Sequence, residues 1–277
     1  MGTSMLSIEF KQIKVIAAKE FWDRIRNRWV LAVALVFTIF ALSIAYFGSA
    51  QQGTVGFRGI EVTIASLVSL VIYLVPLIAL ILGYDAIVGE RERGSLDLLL
   101  SMPITRFELL LGKFLGLSAA LAFSTLIGFG SVGLLLAYKL NMISLLHYGR
   151  FMLSAILMGM AFLSMAVMVS VIATERIRAS GVAISLWFFF VLIFDLLLLA
   201  ILVTGGGKVG ANVLPFLLFL NPADVFRILN IFGSEDVRAF YGLATIVPNI
   251  LTNTSLLGAA MVFWIVAPLG IAVWRFK

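Results

Sequence analysis

Six apolar runs, each long enough to cross a bilayer, divide this chain of 277 residues. A helix needs about 20 predominantly apolar residues to span the hydrocarbon core. Because lipid offers no hydrogen-bond partner to the backbone, such runs are expected to be helical. The predicted spans are residues 30–47, 62–83, 107–138, 151–174, 181–203 and 255–273. The chain is therefore predicted to be an all-α integral membrane protein, with a single transmembrane domain over residues 1–277.

The composition excludes the common soluble classes. Apolar residues make up 62% of the chain and charged residues 12%, whereas soluble domains have about half and about a quarter. The net charge of +6 is spread around the spans without a basic patch carrying interleaved aromatic residues, so no nucleic-acid partner is expected. The chain has no cysteine and one histidine, His147, which excludes a thiolate site and a multi-histidine metal site within one chain.

The positions of Lys and Arg predict the orientation of the spans. One side receives the basic residues of the N-terminal segment, of residues 91–113, of the turn at Arg176 and Arg178, and of the C-terminus. By the positive-inside rule, both termini are expected in the cytosol. Trp29 and Trp274 fall at the corresponding ends of the first and sixth spans, where interfacial aromatic residues are typical.

The residues ahead of the first span, 6–28, are predicted to form a basic amphipathic helix. Apolar residues recur from Phe10 to Ile25, and six Lys or Arg residues lie around the rest of the helix. Such a helix can lie in the headgroup layer of an anionic leaflet, so membrane lipid is an expected partner. The alternative is a solvated basic helix, which the continuous apolar stripe disfavours.

A short charged segment, residues 87–105, separates the second and third spans. Its charges alternate in sign, and a leucine run then leaves apolar side chains outside the membrane. Pro103 disfavours helix at the residue before it, and Thr105 can cap the helix that follows. A connector that merely reverses the chain would not account for the leucines, so a docking role is predicted. The residues expected to carry it are Glu90, Arg91, Glu92, Arg93 and Leu96.

Several features follow one another along this segment: Gly89-Glu90, Gly94-Ser95-Leu96, Leu98-Leu99-Leu100, Pro103, Thr105-Arg106 and Gly112-Lys113. In this order they resemble the cytosolic coupling segment of ABC-2 type transporter permeases. The resemblance implies that the segment fits a groove on a separate ATPase subunit and passes the ATP cycle to the membrane helices. The basic N-terminal helix likewise resembles the elbow helix of that family.

The segment between the fifth and sixth spans, residues 204–254, is expected on the outer side. Residues 213–220 are apolar but too short to span, and Asn221-Pro222-Ala223-Asp224 has the cap, proline and acidic residue of a helix start. We therefore expect an apolar segment that dips into the outer leaflet and then a short helix, and the family also has re-entrant outer helices here. Asn221, Asp224 and Arg227 are the predicted contacts of an outer partner.

The fifth span and this outer segment, together with Tyr84–Glu90 and Asn27-Arg28-Trp29, resemble the subgroup of permeases that serves nitrous-oxide reductase maturation. The resemblance implies a homodimer in the bacterial inner membrane, two cytosolic ATPase subunits and a periplasmic subunit, with a role in assembling copper centres. Whether a species is transported, or conformational work passes to the periplasmic partner, is left open. The alternative is a general exporter permease for a hydrophobic or lipid-like compound.

The sequence contains no recognisable catalytic or nucleotide-binding set. Residues 205–208 are glycine-rich but lack the spacing of a phosphate-binding loop, so ATP and Mg are expected on the partner ATPase, and the chain is not expected to be an enzyme by itself or to bind a cofactor. Five methionines in the fourth span are interpreted as packing residues, not as a metal site.

Asp195 is the one carboxylate deep inside a predicted span, where a charge costs about 2.5–3.5 kcal/mol on insertion scales. Two interpretations are weighed equally: a gate or relay group, and a structural hydrogen bond to a serine, a threonine or a second protomer. An intramembrane enzyme would need a second buried carboxylate. In the third span, the pair Gly112 and Gly116 and the group Gly128, Gly130 and Gly133 predict close helix packing.

Overall fold

The computed structural model describes residues 9–47, 60–137, 142–204, 214–231 and 253–276. All regular elements in these ranges are helical. The elements are α1 (Phe10–Arg26), α2 (Trp29–Phe47), α3 (Ile60–Gly83), α4 (Val88–Glu92), α5 (Ser95–Ser101), α6 (Arg106–Ala137), α7 (Met142–Ile172), α8 (Arg176–Phe188), a π-helical turn (Phe189–Ile193), α9 (Phe194–Thr204), α10 (Leu214–Phe219), α11 (Pro222–Ile231) and α12 (Thr254–Arg275). The predictions on residues 205–208 and on much of the outer segment lie outside the described residues.

Among the described residues, six helical segments are long and apolar enough to cross a membrane, which confirms the predicted all-α membrane fold. They are Trp29–Phe47, Thr63–Glu92, Arg106–Leu135, Leu145–Ile172, Arg176–Ile201 and Thr254–Arg275. Helix α6, with 32 residues, is about 48 Å long at 1.5 Å per residue. Because the hydrocarbon core is about 30 Å thick, part of α6 extends beyond it.

Helix α7 is the centre of the bundle, and α3, α6 and α12 pack on it. Its buried side chains include Phe151, Phe162, Met158 and Met165, so these two methionines fill space between helices. In the span that contains α7, 72% of the most apolar 18-residue stretch is buried, whereas in the span Arg176–Ile201 the share is 11%. Most of the surface of α8 and α9 therefore faces away from the rest of the described chain.

Helix α1 packs alongside the first half of α6 and runs in the same direction. The backbone N–H of Glu9 donates to the carboxylate of Glu108 at 2.6 Å, and farther along both helices Gly116 lies against Ala17. A Cβ atom placed on Gly116 would lie 2.5 Å from the Ala17 carbonyl oxygen, and Gly112 lies in similar close contact with α1. The close approach predicted at this pair of glycines is confirmed.

The three later glycines of α6 differ in their surroundings. Gly128 lies against the side chain of Phe37, and Gly133 against the ring of Tyr148. A Cβ atom on Gly130 would meet nothing within 4 Å in the part of the chain that the structure describes. The prediction of close packing is right for Gly128 and Gly133 and wrong for Gly130, because Gly130 points into open space.

The described ends of the chain lie at the same end of the bundle as α4 and α5. Glu9 contacts the first turn of α6, and the Arg106 guanidinium lies 5.5 Å from the centre of the Phe276 ring. Helix α11 lies toward the other end, where Phe226 packs on Phe151 of α7. Ser170 of α7 bonds the start of α4, and the 19 residues from position 151 to 170 correspond to about 28 Å of helix.

Candidate docking segment and outer polar cluster

A left-handed glycine divides the charged segment into two short helices. Gly94 has φ 71° between α4 and α5, a conformation that glycine adopts without the steric penalty of a side chain. After this turn, Leu96 is buried while Asp97 and Leu98 are exposed. The segment is thus a compact cap on one end of the bundle.

Glu90 belongs to a buried ionic cluster. Its carboxylate accepts hydrogen bonds from the Ser95 hydroxyl and, at 3.2 Å, from the Lys113 ammonium. Lys113 also donates to Glu20 of α1 at 2.6 Å. The side chains of Lys113, Glu20 and Glu90 are 4%, 9% and 13% exposed, so one buried ammonium serves two carboxylates. The cluster ties α4 to α1 and α6.

Arg91 and Glu92 complete the ends of two neighbouring helices. The Arg91 guanidinium donates to the carbonyl oxygens of Ala173 at 2.7 Å and Val171 at 3.2 Å, at the end of α7. The Glu92 carboxylate accepts the backbone N–H of Arg176 at 2.6 Å, at the start of α8. Helix ends leave these carbonyl and N–H groups without partners inside the helix. Both predicted docking residues are therefore engaged within the chain.

The apolar surface that α4 and α5 leave outside the bundle consists of other residues than predicted. Leu96 is 6% exposed and packs in the core, whereas Leu98 is 69% and Met102 is 55% exposed. The sequence does indicate that Leu96 is buried, because Leu96, Leu99 and Leu100 have the i, i+3, i+4 spacing of residues on one inward face of a helix. We define the docking face as Arg93, Asp97, Leu98, Ser101 and Met102, all of which are exposed.

At the end of the bundle opposite α4 and α5, Asp195 pairs with Arg227, a partner that the sequence does not indicate. The guanidinium donates to the two carboxylate oxygens at 2.9 and 3.3 Å. It also donates to Asp224, one turn earlier on α11, at 2.5 Å. One guanidinium thus serves two carboxylates, and the side chains of Asp195 and Arg227 remain 38% and 35% exposed. The pair is separated by 32 residues, so no local pattern reveals it.

Asn221 fastens α11 to the π-helical turn of the fifth span. Its side-chain oxygen accepts the backbone N–H of Ala223, as predicted for a helix cap, and its Nδ2 donates to the carbonyl of Phe190 at 2.8 Å. Nδ2 also donates to Asp224 at 2.9 Å. A π-helical turn interrupts the regular helical hydrogen bonds, and such turns are frequent at functional sites.

The predicted contacts of an outer partner therefore point inward in the described chain. Asn221 and Asp224 are each 1% exposed, and Arg227 faces both carboxylates. Burial raises the pKa of Asp224 to about 6, against the opposing effect of the Arg227 guanidinium. This geometry favours an indirect role, in which the three residues position α11, and their contact with a partner stays a prediction.

No metal or catalytic centre is visible in the part of the chain that the structure describes. Groups of three or more His, Asp or Glu side chains that could hold a metal ion do not occur among these residues. Asp195 and Asp224 are both bound by Arg227, which makes the cluster an ion-pair network. In the described chain, the polar partner of Asp195 is Arg227, and not the serine, threonine or second protomer that the structural interpretation of this residue considered.

Comparison with known proteins gives matches over nearly the whole chain. A family model described as "ABC-2 family transporter protein" matches residues 14–277. A protein of Pseudomonas aeruginosa named "Probable ABC transporter permease protein NosY" is 47% identical over 266 residues, which cover 95% of this chain and 96% of the relative. A protein of Stutzerimonas stutzeri with the same name is 43% identical over 270 residues, which cover 96% and 98%.

Proposed function

Because the chain belongs to the ABC-2 transporter family and is similar over its full length to ABC transporter permeases, we propose that it couples ATP hydrolysis by a separate cytosolic ATPase to work across the membrane. The observation that carries this proposal is the docking face, which presents Leu98 and Met102 beyond the end of the bundle. Apolar side chains flanked by Arg93 and Asp97 are suited to insertion into a groove of a partner protein.

The attachments of α4 and α5 explain how movement of a docked ATPase would reach the membrane helices. Glu90 bonds to Lys113 of α6, Arg91 to the end of α7, and Glu92 to the start of α8. Leu96 packs in the core beneath them. A force applied to the docking face therefore acts on three spans through short polar contacts.

The test of docking replaces apolar side chains and leaves the ionic cluster intact. We expect Leu98→Asp to weaken binding of the partner ATPase by roughly tenfold to a hundredfold, the loss expected for one buried leucine. Ile177→Asp is the matched control, because Ile177 is 83% exposed at the same end of the bundle but lies on α8. Binding is measured by co-purification and by stimulation of ATP hydrolysis.

Equal losses in Leu98→Asp and Ile177→Asp, or no loss in Leu98→Asp, would refute the docking face. Reversal of charge at Glu90 is a less specific test, since Glu90 is bonded to Ser95 and Lys113 and its loss also disturbs packing. The thermal midpoint of each purified variant shows whether the fold is retained.

We also assign the chain to a homodimer with two ATPase subunits. The fifth span is the least buried of the six described spans, with 11% of its most apolar stretch covered. It carries Asp195, which is 38% exposed and is paired with Arg227 of α11. Charged side chains within a span are normally covered by protein or water, because lipid contact is costly. A second copy packed near this face supplies such cover. We further propose that the chain lies in the bacterial inner membrane, with both termini and the docking face on the cytosolic side.

The physiological role that we propose is assembly of the copper centres of nitrous-oxide reductase, with a periplasmic subunit on the outer side. Support comes from the resemblance of the fifth span and outer segment, and from relatives named NosY. Purification of the tagged chain from its own host in mild detergent, followed by mass spectrometry, tests this role. An ATPase with a periplasmic protein supports it, whereas an ATPase alone favours a general exporter of a hydrophobic compound. Recovery of neither argues against both.

A further inference from the structure

An open cleft of about 520 Å³ lies between α1, the end of α5 and the start of α6. Its walls are formed mainly by apolar side chains: Val15, Ile16, Leu99, Met102, Ile104 and Leu109. The size is within the roughly 300–1,000 Å³ of small-molecule sites, and the walls suit a hydrocarbon chain. Met102 belongs to both the cleft and the docking face, but the rest of the lining lies on α1, on the inner side of α5 and at the start of α6.

The charged groups of the cleft favour a negatively charged ligand. Lys11 and Lys19 line it and are exposed, and Glu9 is the exposed carboxylate in the lining. Glu20 and Lys113, which also line it, bind each other at 2.6 Å. Lys19 has only a weak contact of 3.6 Å with Asp23. The remaining charge of the lining is therefore positive, with long flexible side chains at its rim.

Two further observations concern the position and polarity of the cleft. Helix α1 exposes Val15 and Trp22, at 63% and 64%, and leads directly into the first span at Trp29, so the cleft opens at the level where membrane lipids meet water. Gln12 lines the cleft, and its Oε1 is buried without a hydrogen-bond partner among the described residues. A headgroup hydroxyl or ammonium can donate to this oxygen.

We propose that the cleft binds one anionic phospholipid, with an acyl chain between α1 and α5 and the phosphate on Lys11 and Lys19. The bound lipid would pack against Leu99 and Met102, and so support the docking face from behind. The site requires only that the chain is a membrane protein, whichever substrate or partners it serves.

The experiment uses the full purified chain, delipidated in mild detergent and titrated with phosphatidylglycerol or phosphatidylcholine, with bound lipids counted by native mass spectrometry. We expect one tight phosphatidylglycerol per chain and about thirtyfold weaker binding in Lys11→Gln/Lys19→Gln, the loss expected for two basic residues at an anionic headgroup. The matched control is Lys14→Gln/Arg26→Gln, which removes two exposed positive charges of α1 outside the cleft. Val15→Trp, which fills the cleft, is expected to lose the lipid while keeping both lysines.

Each other outcome overturns the proposal. Equal losses in the two charge-removing variants mean nonspecific attraction to α1, and equal binding of phosphatidylcholine means a cleft without headgroup recognition. If inorganic phosphate displaces phosphatidylglycerol, the lysines bind a free anion instead of a lipid headgroup. If the ATPase subunit displaces it, the cleft is a protein-binding site. Intrinsic tryptophan fluorescence and the thermal midpoint establish that each variant is folded.

Discussion

Replacing Gly116 by alanine tests the contact that seats α1 on α6. The added Cβ atom would lie 2.5 Å from the Ala17 carbonyl oxygen and 2.7 Å from the Cβ atom of Glu20. Ordinary van der Waals contacts are about 3.5–4.0 Å, and backbone atoms of a helix cannot rotate away. The two helices must therefore separate by about 1 Å. The buried Lys113–Glu20 ion pair lies beside this contact and would be stretched with it.

The size of the effect follows from two opposing contributions. Overpacking in a well-packed region costs about 1–3 kcal/mol. Alanine in place of a helical glycine contributes about 0.8–1.0 kcal/mol of stability through backbone entropy. Gly130→Ala in the same helix has the second contribution without the first, because nothing lies within 4 Å of the added atom. The difference between the two variants is thus about 1–3 kcal/mol, with Gly116→Ala the less stable.

The assay is thermal unfolding of both variants in the same detergent, followed by intrinsic tryptophan fluorescence, since the chain has five tryptophans and no cysteine. About 2–4 °C per kcal/mol is expected for a chain of this size class. We expect Gly116→Ala to unfold several degrees below Gly130→Ala. Equal midpoints would show that α1 is not held against α6 at this distance, and the parallel packing of the two helices would then be wrong.

Two further predictions concern the polar clusters. Lys113→Gln leaves the buried Glu20 without a cation and leaves Glu90 with only the exposed Arg93 at 3.9 Å, and it is expected to destabilise the protein by about 3–5 kcal/mol. Glu20→Gln retains the Lys113–Glu90 contact and should cost less in the same denaturant titration. Equal costs would contradict the shared ammonium. Burial raises the pKa of Asp224 in the folded protein to about 6. The folded state therefore binds this proton more tightly than the unfolded state does. As a result, the free energy of unfolding is expected to fall as the pH rises from about 4 to about 6. Thermal midpoints across this range should decline more in the wild type than in Asp224→Asn, and identical pH profiles would refute the assignment.

The parts of the fold that the sequence predicts are those governed by chain-local physics. Apolar run length is enough to identify the six spans, and Asn221 is recognised as a cap from its immediate neighbours. The spacing of Leu96, Leu99 and Leu100 also indicates which face of α5 packs on the bundle. Once the bounds of α5 are known, Leu98 falls on the opposite face and is expected to be exposed, as it is.

The partners of the charged residues could not be predicted, because they come from distant parts of the chain. Arg91 bonds carbonyl groups about 80 residues away, and Arg227 bonds a carboxylate 32 residues away. A charge pattern indicates that such groups need partners, since burying them alone is costly. It does not indicate which helix end or carboxylate provides the partner. A run of alternating charges was therefore interpreted as a surface, although much of it stabilises helix ends.

The fifth span is held in a way that suits movement as a unit. Its start is bonded through Arg176 to Asp85 at 2.7 Å and to Glu92, and its second half is bonded through Asp195 to Arg227. Between these points the Trp187 indole donates to the carbonyl of Tyr73. Most of the apolar surface of the fifth span, however, packs against nothing in the described chain. A sideways shift of the fifth span would therefore break few apolar contacts. The polar contacts at Arg176 and at Asp195 would keep both ends of the span attached to their neighbours. If the proposed coupling to an ATPase holds, a movement at the docking face would reach α11 through this span, because Glu92 is bonded to one end of it and Asp195 fastens the other end to α11.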